Sequence, residues 1–316
     1  MIFLVFASLL SMTIFDCIKD PFYQHKYVLE RILMELLGLR REELIIHYDD
    51  VLSESLMERT KNMYNEYAIG KQPLEYILGY VEYGWLRFHV NRHTIIPRPE
   101  TEYMIEEVRK YISAQIPDYR YLLVDVGTGS GVLWLSILHS HGSQIDFAFL
   151  IDISEDALGV TKKNYDFLIE HGHIDRDISV VIEKGNLFSS HALDEKNFSG
   201  FLTKGEIIVV ANLPYIPDET FDTNPDQSIK FEPRVAFVGW DDGLDLYRIM
   251  FEQIQSRTNP PQPSFDREGV SFPIVMFLEM MTWQVDILRK EFEWLEFEEI
   301  ATFHFQIRIV RVIIKK

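Results

Sequence analysis

From residue 121 the chain runs Tyr-Leu-Leu-Val-Asp-Val, breaks into Gly127-Thr128-Gly129-Ser130-Gly131, and resumes as an apolar stretch from Val132. The first run has strand character, the glycines permit a sharp turn, and the following stretch has helical character. The same texture recurs downstream. Strand-like segments at 121–126, 145–151, 178–182, 206–211 and 272–279 alternate with helix-like ones at 132–139, 154–170, 244–254 and 283–292. Such alternation is the pattern of an α/β domain. A last pair of strands near 296–303 and 305–314 resembles an antiparallel hairpin, and 256–269, with Pro260, Pro261 and Pro263, reads as an exposed loop.

Upstream the pattern is different. Between about residues 20 and 77, Val28, Ile32, Leu33, Leu36 and Leu37 recur at three- and four-residue spacing, and Gly38 stands where a helix would stop. A small helical domain over 1–79 is expected. Tyr83, Trp85, Phe88 and Val90 around Gly84 then suggest a β-hairpin linker over 80–96, leaving 97–316 for the α/β domain. Residues 1–15 are strongly apolar but lack a basic leading region, and Asp16, Lys19 and Asp20 end the run too early to span a bilayer. A buried first helix is the expectation there, with a targeting or membrane-associated segment as the alternative.

A length of 316 residues with 47% hydrophobic and 25% charged side chains suits two modest globular domains. The formal charge of −18 repels a bare phosphate backbone, and no dense Lys/Arg block offsets it. A protein or small-molecule partner is therefore favoured. The single cysteine, Cys17, excludes an internal disulfide and a Cys-rich zinc site, which suits a reducing cytoplasm. His139/His141 and His171/His173 lack carboxylate partners at ligand spacing, so no metal is expected.

The glycine turn has the makings of a nucleotide site, because its backbone can approach a ligand closely beside a helix N-terminus. No lysine follows the glycines as in a phosphate-binding P-loop, and Val132 departs from the dinucleotide fingerprint. At the end of the next strand, Asp152 lies 21 residues beyond Gly131, where a carboxylate can accept both ribose hydroxyls of an adenosine. Its alternative role is to cap the following helix, which Ser154 would do better. After the third strand, Asn186 and Leu187 could offer a polar group and an apolar contact to an adenine ring. These strand-end signals converge on the carboxyl edge of one sheet, where α/β ligands bind.

The fourth strand, at 206–211, delivers Asn212-Leu213-Pro214-Tyr215. An amide side chain, a nearby backbone carbonyl and an aromatic face can hold a planar NH₂ group for attack, which points to methyl transfer onto nitrogen.

With Gly127 to Gly131, Asp152 and Asn212 to Tyr215 in this order, the chain resembles the class I S-adenosylmethionine-dependent methyltransferases. More specifically it resembles the HemK/PrmC family of protein-(glutamine-N5) methyltransferases. Further matches are Gln72-Pro73-Leu74-Glu75-Tyr76-Ile77-Leu78-Gly79, Ile96-Pro97-Arg98-Pro99-Glu100-Thr101-Glu102, Glu232-Pro233-Arg234 with Ala236, and Asp242-Gly243-Leu244 with Tyr247. Three departures stand out: Leu213 where the family has the first proline of NPPY, Asn186 where it has Asp, and Met280-Met281-Thr282-Trp283 where it has a glycine-containing segment.

The resemblance implies a Rossmann-like domain with a mainly parallel seven-stranded sheet, a C-terminal antiparallel hairpin and a preceding helical substrate-recognition domain. It implies S-adenosylmethionine as cofactor, held by Asp125, Gly127, Thr128, Gly129, Ser130, Gly131, Asp152, Asn186, Leu187 and Asn212. The implied substrate is the GGQ glutamine of a class I peptide chain release factor, met by a monomeric enzyme through Asn212, Leu213, Pro214 and Tyr215. Pro99, Glu100 and Thr101 would border the substrate channel, Pro99 and the acids also suiting the first turn of a helix. The Asn212 side-chain oxygen and the Leu213 carbonyl would accept the two amide N–H bonds, with Tyr215 packed on the amide plane and Pro214 stiffening the turn. Two other readings fit part of the pattern. Asn-Leu-Pro-Tyr is also the form found in rRNA adenine dimethylases, which need a basic track and an unstacked base. A non-catalytic docking module could keep the fold alone.

Overall fold

The computed structural model describes residues 12–175, 178–189, 205–226, 228–258, 273–300 and 307–315. The chain folds as two units, Met1–Gly79 and Tyr80–Lys316. The first contains helices at Ile14–Lys19, Lys26–Leu37, Arg41–Ile46, Glu54–Ala68 and Leu74–Leu78. The second of these buries Val28, Leu29, Ile32 and Leu33 along one face. Each such side chain contributes on the order of 1.5–3 kcal/mol of burial. Gly38 ends that helix in the left-handed region, at φ 66°. Of the segment expected as a buried first helix, residues 1–11 lie outside the described residues. Downstream of it, Thr13 and Asp16 form a capping box, and Ile14, Cys17 and Ile18 are buried. Burial pushes the Cys17 thiol up to about 11, so it sits as an inert apolar group.

The second unit opens with a hairpin of β1 (Tyr80–Tyr83) and β2 (Leu86–His89). Its two-residue turn, Gly84-Trp85, has positive φ at both positions, which matches the twist of the flanking strands. Trp85 is therefore a fully exposed turn residue rather than part of a strand.

A seven-stranded sheet follows, built from β3 (Arg120–Val126), β4 (Ile145–Asp152), β5 (Ser179–Lys184), β6 (Gly205–Ala211), β7 (Ile274–Met281), β8 (Leu295–Ile300) and β9 (Ile307–Ile314). The spatial order is β5-β4-β3-β6-β7-β9-β8. The first five strands pair in parallel, and β9 runs antiparallel between β7 and β8. The fold is thus the Rossmann-like α/β arrangement expected. Alternation along the strands makes two cores. Leu122, Val124 and Val126 face one side with Val209 and Tyr247, whereas Tyr121 and Leu123 face the other with Trp134 and Phe277.

Some boundaries differ from the sequence pattern. The strand expected over 272–279 runs on to Met281, because Met280 and Met281 pair with Arg308 and Ile307 of β9. Residues 256–258 continue the helix Asp245–Thr258, and the rest of the expected loop lies outside the described residues. Residues 301–303 and 305–306 of the expected final hairpin also lie outside them. Among the described residues, no helix is long and apolar enough to cross a membrane.

Candidate active site

The strand order reverses at β3: the chain lays β4 and β5 to one side of it and returns to place β6 on the other. The carboxyl ends of β3, β4 and β6 therefore open a crevice at that switch point, where α/β sheets receive ligands. The glycine turn, Asp152 and Asn212 stand on those three ends.

The turn is held from several directions. The backbone N–H groups of Gly127 and Thr128 donate to the Ile151 carbonyl at 2.8 and 3.0 Å, and Gly129 N–H donates to Asp152 Oδ2 at 2.9 Å. Gly127, Gly129 and Gly131 all have positive φ. A Cβ on Gly131 would lie 2.7 Å from Trp134 Nε1, and one on Gly127 would lie 3.1 Å from the Leu213 side chain. Two buried polar residues on the helix Glu155–Glu170 complete the support. Thr161 Oγ1 donates to Gly129 O at 2.7 Å, and Asn164 Nδ2 donates to Ser130 O at 2.8 Å and to His89 O at 2.9 Å. The sequence carried a faint signal for them: Ala157, Thr161, Asn164 and Leu168 form one face at helical spacing, polar in its middle.

Asp152 has acceptor capacity left over. Its Oδ1 receives Ser154 N–H at 2.9 Å and its Oδ2 receives Gly129 N–H. An ionised carboxylate offers about four acceptor sites, so about two remain for a pair of vicinal hydroxyls. Ser154 caps the following helix by accepting from Ala157 N–H. Burial raises the Asp152 pKa, and backbone donors at Ser154 and Gly129 oppose that rise.

Asp125, fully buried in β3, accepts from Thr128 Oγ1 at 2.9 Å. Burial pushes its carboxyl up to about 7. Between about pH 4 and about pH 7 the folded chain keeps a proton that the unfolded chain releases. The stability associated with this group is accordingly full below its unfolded pKa and lost as pH rises through its folded one. Asp125→Asn is expected to flatten that fall. Urea midpoints across this range test it, and an unaltered slope would count against the assignment.

Two cavities meet at Asn212 and Leu213. The first encloses about 840 Å³, open mouth included, and takes in Gly127, Gly129, Asp152, Asn186, Leu187 and Pro214. Asp125, Thr128, Ser130 and Gly131 do not line it; they shape the turn from behind. The second encloses about 660 Å³ and is lined by Tyr215, Glu100, Arg98, Phe237 and Glu279 as well as the shared pair. Pro99 is the first residue of the helix Pro99–Ser113 and lines neither cavity. Thr101 is buried behind the second one.

Thr101 instead belongs to a hydrogen-bond network that sequence reasoning missed. Asn212 Nδ2 donates to Thr101 Oγ1 at 3.1 Å, Thr101 Oγ1 donates to Glu279 Oε2 at 3.1 Å, and Tyr215 Oη donates to Glu279 Oε1 at 3.0 Å. Glu279 is 1% exposed, and burial pushes its carboxyl up to about 7. The available signal was a lone acid in the otherwise apolar run Ile274–Met281.

The Asn212–Tyr215 segment is fixed by backbone as well. Gln284 Nε2 donates to the carbonyls of Tyr215 and Asp242, both at 2.8 Å. Ile216 N–H donates to Phe237 O at 2.9 Å, and Gly239 N–H returns to Ile216 O at 3.0 Å. Glu232 is buried, receiving Ile96 N–H at 2.8 Å and Arg98 Nη2 at 2.6 Å. The two proline-containing motifs around Arg98 and Glu232 therefore form one structure.

Comparison with known proteins bears on this arrangement. Residues 24–79 match the family model described as the PrmC N-terminal domain. The release factor glutamine methyltransferase of Bacillus cereus is 27% identical over 225 residues, covering 71% of this chain and 73% of that protein. That of Chlorobaculum tepidum is 29% identical over 77% of this chain and 78% of its own. That of Clostridium acetobutylicum reaches 35% over 178 residues, 56% of each chain.

The chain is similar to release factor glutamine methyltransferases over about three quarters of its length, with a match to the PrmC N-terminal domain at residues 24–79.

Among solved structures, the human methyltransferase 10 domain containing protein superposes with TM-score 0.47 and 14% identity over 72% of this chain and 88% of that one. Leu213 is 2% exposed and its side chain lies against Gly127. A leucine at the position where the resemblance led to a proline is thus accommodated by the core on the glycine-turn side.

Proposed function

We propose that the protein transfers a methyl group from S-adenosylmethionine to the side-chain amide nitrogen of a glutamine, in the GGQ loop of a class I peptide chain release factor, in the cytoplasm. The observation that carries this reading is the position of Asn212 and Leu213 on both cavities. One cavity suits a nucleoside and the other an incoming side chain, and an amide acceptor stands between them.

The residues present fit the cofactor. Bare Cα atoms at Gly127 and Gly129 let a ligand approach the turn, Asp152 keeps acceptors for two hydroxyls, and Leu187 offers an apolar wall. S-adenosylmethionine, when bound, supplies an electrophilic methyl group on a sulfonium. Asp152→Ala is expected to weaken its binding roughly 10- to 100-fold, the scale of losing charge-assisted hydrogen bonds. Isothermal calorimetry tests that, and unchanged affinity would remove Asp152 from the site.

The protein's remaining task is to make a poor nucleophile react. An amide nitrogen has its lone pair delocalised into the carbonyl. Asn212 Oδ1 and the Leu213 carbonyl accept its two N–H bonds, orienting the nitrogen toward the donor cavity. Alignment of this kind supplies effective molarities of about 10⁵ M or more. The Leu213 contribution is a main-chain oxygen, so leucine serves there as proline would. Transfer would break the sulfonium S–CH₃ bond as the N–C bond forms, leaving a neutral thioether as leaving group, and one N–H proton would pass to solvent water so that the amide nitrogen ends neutral.

The test is incubation with labelled S-adenosylmethionine and either a release factor or rRNA, followed by mass spectrometry. Label on a release-factor glutamine supports the reading. Label confined to RNA would replace it with adenine-N6 methylation, and no cofactor binding would leave a docking module.

A further inference from the structure

We propose that Glu279 is a positioning residue that fixes the amide orientation of Asn212 through Thr101 and so sets whether Asn212 presents an acceptor or a donor to the substrate. The proposal rests on the reading of Asn212 given above.

The direction of each hydrogen bond carries the argument. An ionised carboxylate can only accept. With Glu279 ionised, the Thr101 hydroxyl proton must point at Oε2, which leaves the Thr101 oxygen to accept from Asn212 Nδ2. The Asn212 NH₂ is then committed inward, and its Oδ1 is the atom left for the cavity. Tyr215 Oη occupies the other carboxylate oxygen, so the aromatic ring and the amide are registered to the same anchor.

Protonation reverses the chain. A neutral Glu279 can donate to Thr101, whose hydroxyl can then donate toward Asn212. The stable amide rotamer in that case turns Oδ1 inward and NH₂ outward, and NH₂ cannot accept an N–H from glutamine. Such amide flips are decided by the surrounding network rather than by shape.

The groups around Glu279 suit a carboxyl that changes state near neutrality. Thr101 and Glu100 face it from the helix Pro99–Ser113, Tyr83 from the hairpin, Tyr247 from the helix Asp245–Thr258, and Tyr215 and Asn212 from the end of β6. Arg98 shares the cavity but pairs with Glu232. Burial raises the Glu279 pKa to about 7, and the nearby Glu100 charge adds to the rise.

The experiment measures kcat, KM and cofactor affinity across pH for wild type, Glu279→Gln, Thr101→Val and Thr101→Ser, using a release factor as substrate. Wild-type kcat should fall as pH drops below about 7, the range of the Glu279 carboxyl. Glu279→Gln and Thr101→Val should each lose roughly 10- to 100-fold in kcat with cofactor affinity intact, and both should lose the acidic limb. Thr101→Ser should restore rate and limb together. Retention of the limb in folded Glu279→Gln, or failure of Thr101→Ser to rescue, would overturn the proposal.

A second readout separates this failure from that of the methyl-transfer reading. The Asn212 side-chain amide resonances, assigned by their loss in Asn212→Ala, should titrate with pH in wild type and not in Glu279→Gln, whatever the substrate. Resonances insensitive to pH in wild type would also overturn it.

Discussion

Asn212→Ala is expected to lower kcat by roughly 100- to 1,000-fold, the scale seen when one preorganised polar contact to a reacting group is removed. Cofactor affinity should change little, because the ribose acceptor on Asp152 and the glycine turn are untouched. The Asn212 side chain is anchored at 3.1 Å to Thr101, so its loss removes an already oriented group rather than a mobile one. Asn212→Asp is informative beside it. The carboxylate keeps an acceptor in the cavity but cannot donate to Thr101, and it places a negative charge beside Glu279. An intermediate rate is expected. Measurement is by transfer of labelled methyl to a release factor, with calorimetry for the cofactor; turnover near wild type in the alanine variant would refute the role assigned to Asn212.

What was legible in the sequence was mostly local. The run 121–131 spells strand, turn and helix within one short stretch, and the alternation downstream is enough for the α/β class. Gly38 marked the end of its helix because a left-handed C-cap is a property of the backbone alone. Glu279 was not legible in the same way. A lone acid in an apolar strand says that something must satisfy it, but the partners, Thr101 and Tyr215, lie 178 and 64 residues away in the chain. The same holds for Glu232, whose partner Arg98 is 134 residues upstream. Each segment was recognisable by resemblance, yet their mutual contact depends on the sheet order. Trp85 shows a finer limit: its aromatic ring helped mark the hairpin, but only the φ values of Gly84-Trp85 place it in the turn and not in a strand. Turn geometry overrode side-chain preference there.

The largest expected loss of stability comes from a residue with no side chain. A Cβ placed on Gly243 would lie 2.0 Å from the Tyr215 carbonyl oxygen and 2.6 Å from Gln284 Nε2, at a backbone φ of 74°. The nearest obstruction is main chain, so it cannot swing aside as a flexible side chain would. Gly243→Ala should cost about 3 kcal/mol or more, combining left-handed strain with overpacking. Gly38 provides the control. It has a similar φ, 66°, but a Cβ there would meet nothing within 4 Å. Gly38→Ala should therefore cost about 1–2 kcal/mol, the left-handed strain alone. The two variants must also differ in activity. Relief of the Gly243 clash requires the Tyr215 carbonyl to move, taking the ring and its bond to Glu279 with it, so methyl transfer should fall even at temperatures where the variant is folded. Urea midpoints combined with kcat on folded protein check both parts. Equal destabilisation of the two variants would show that the close approach of Gly243 to Tyr215 does not hold in solution.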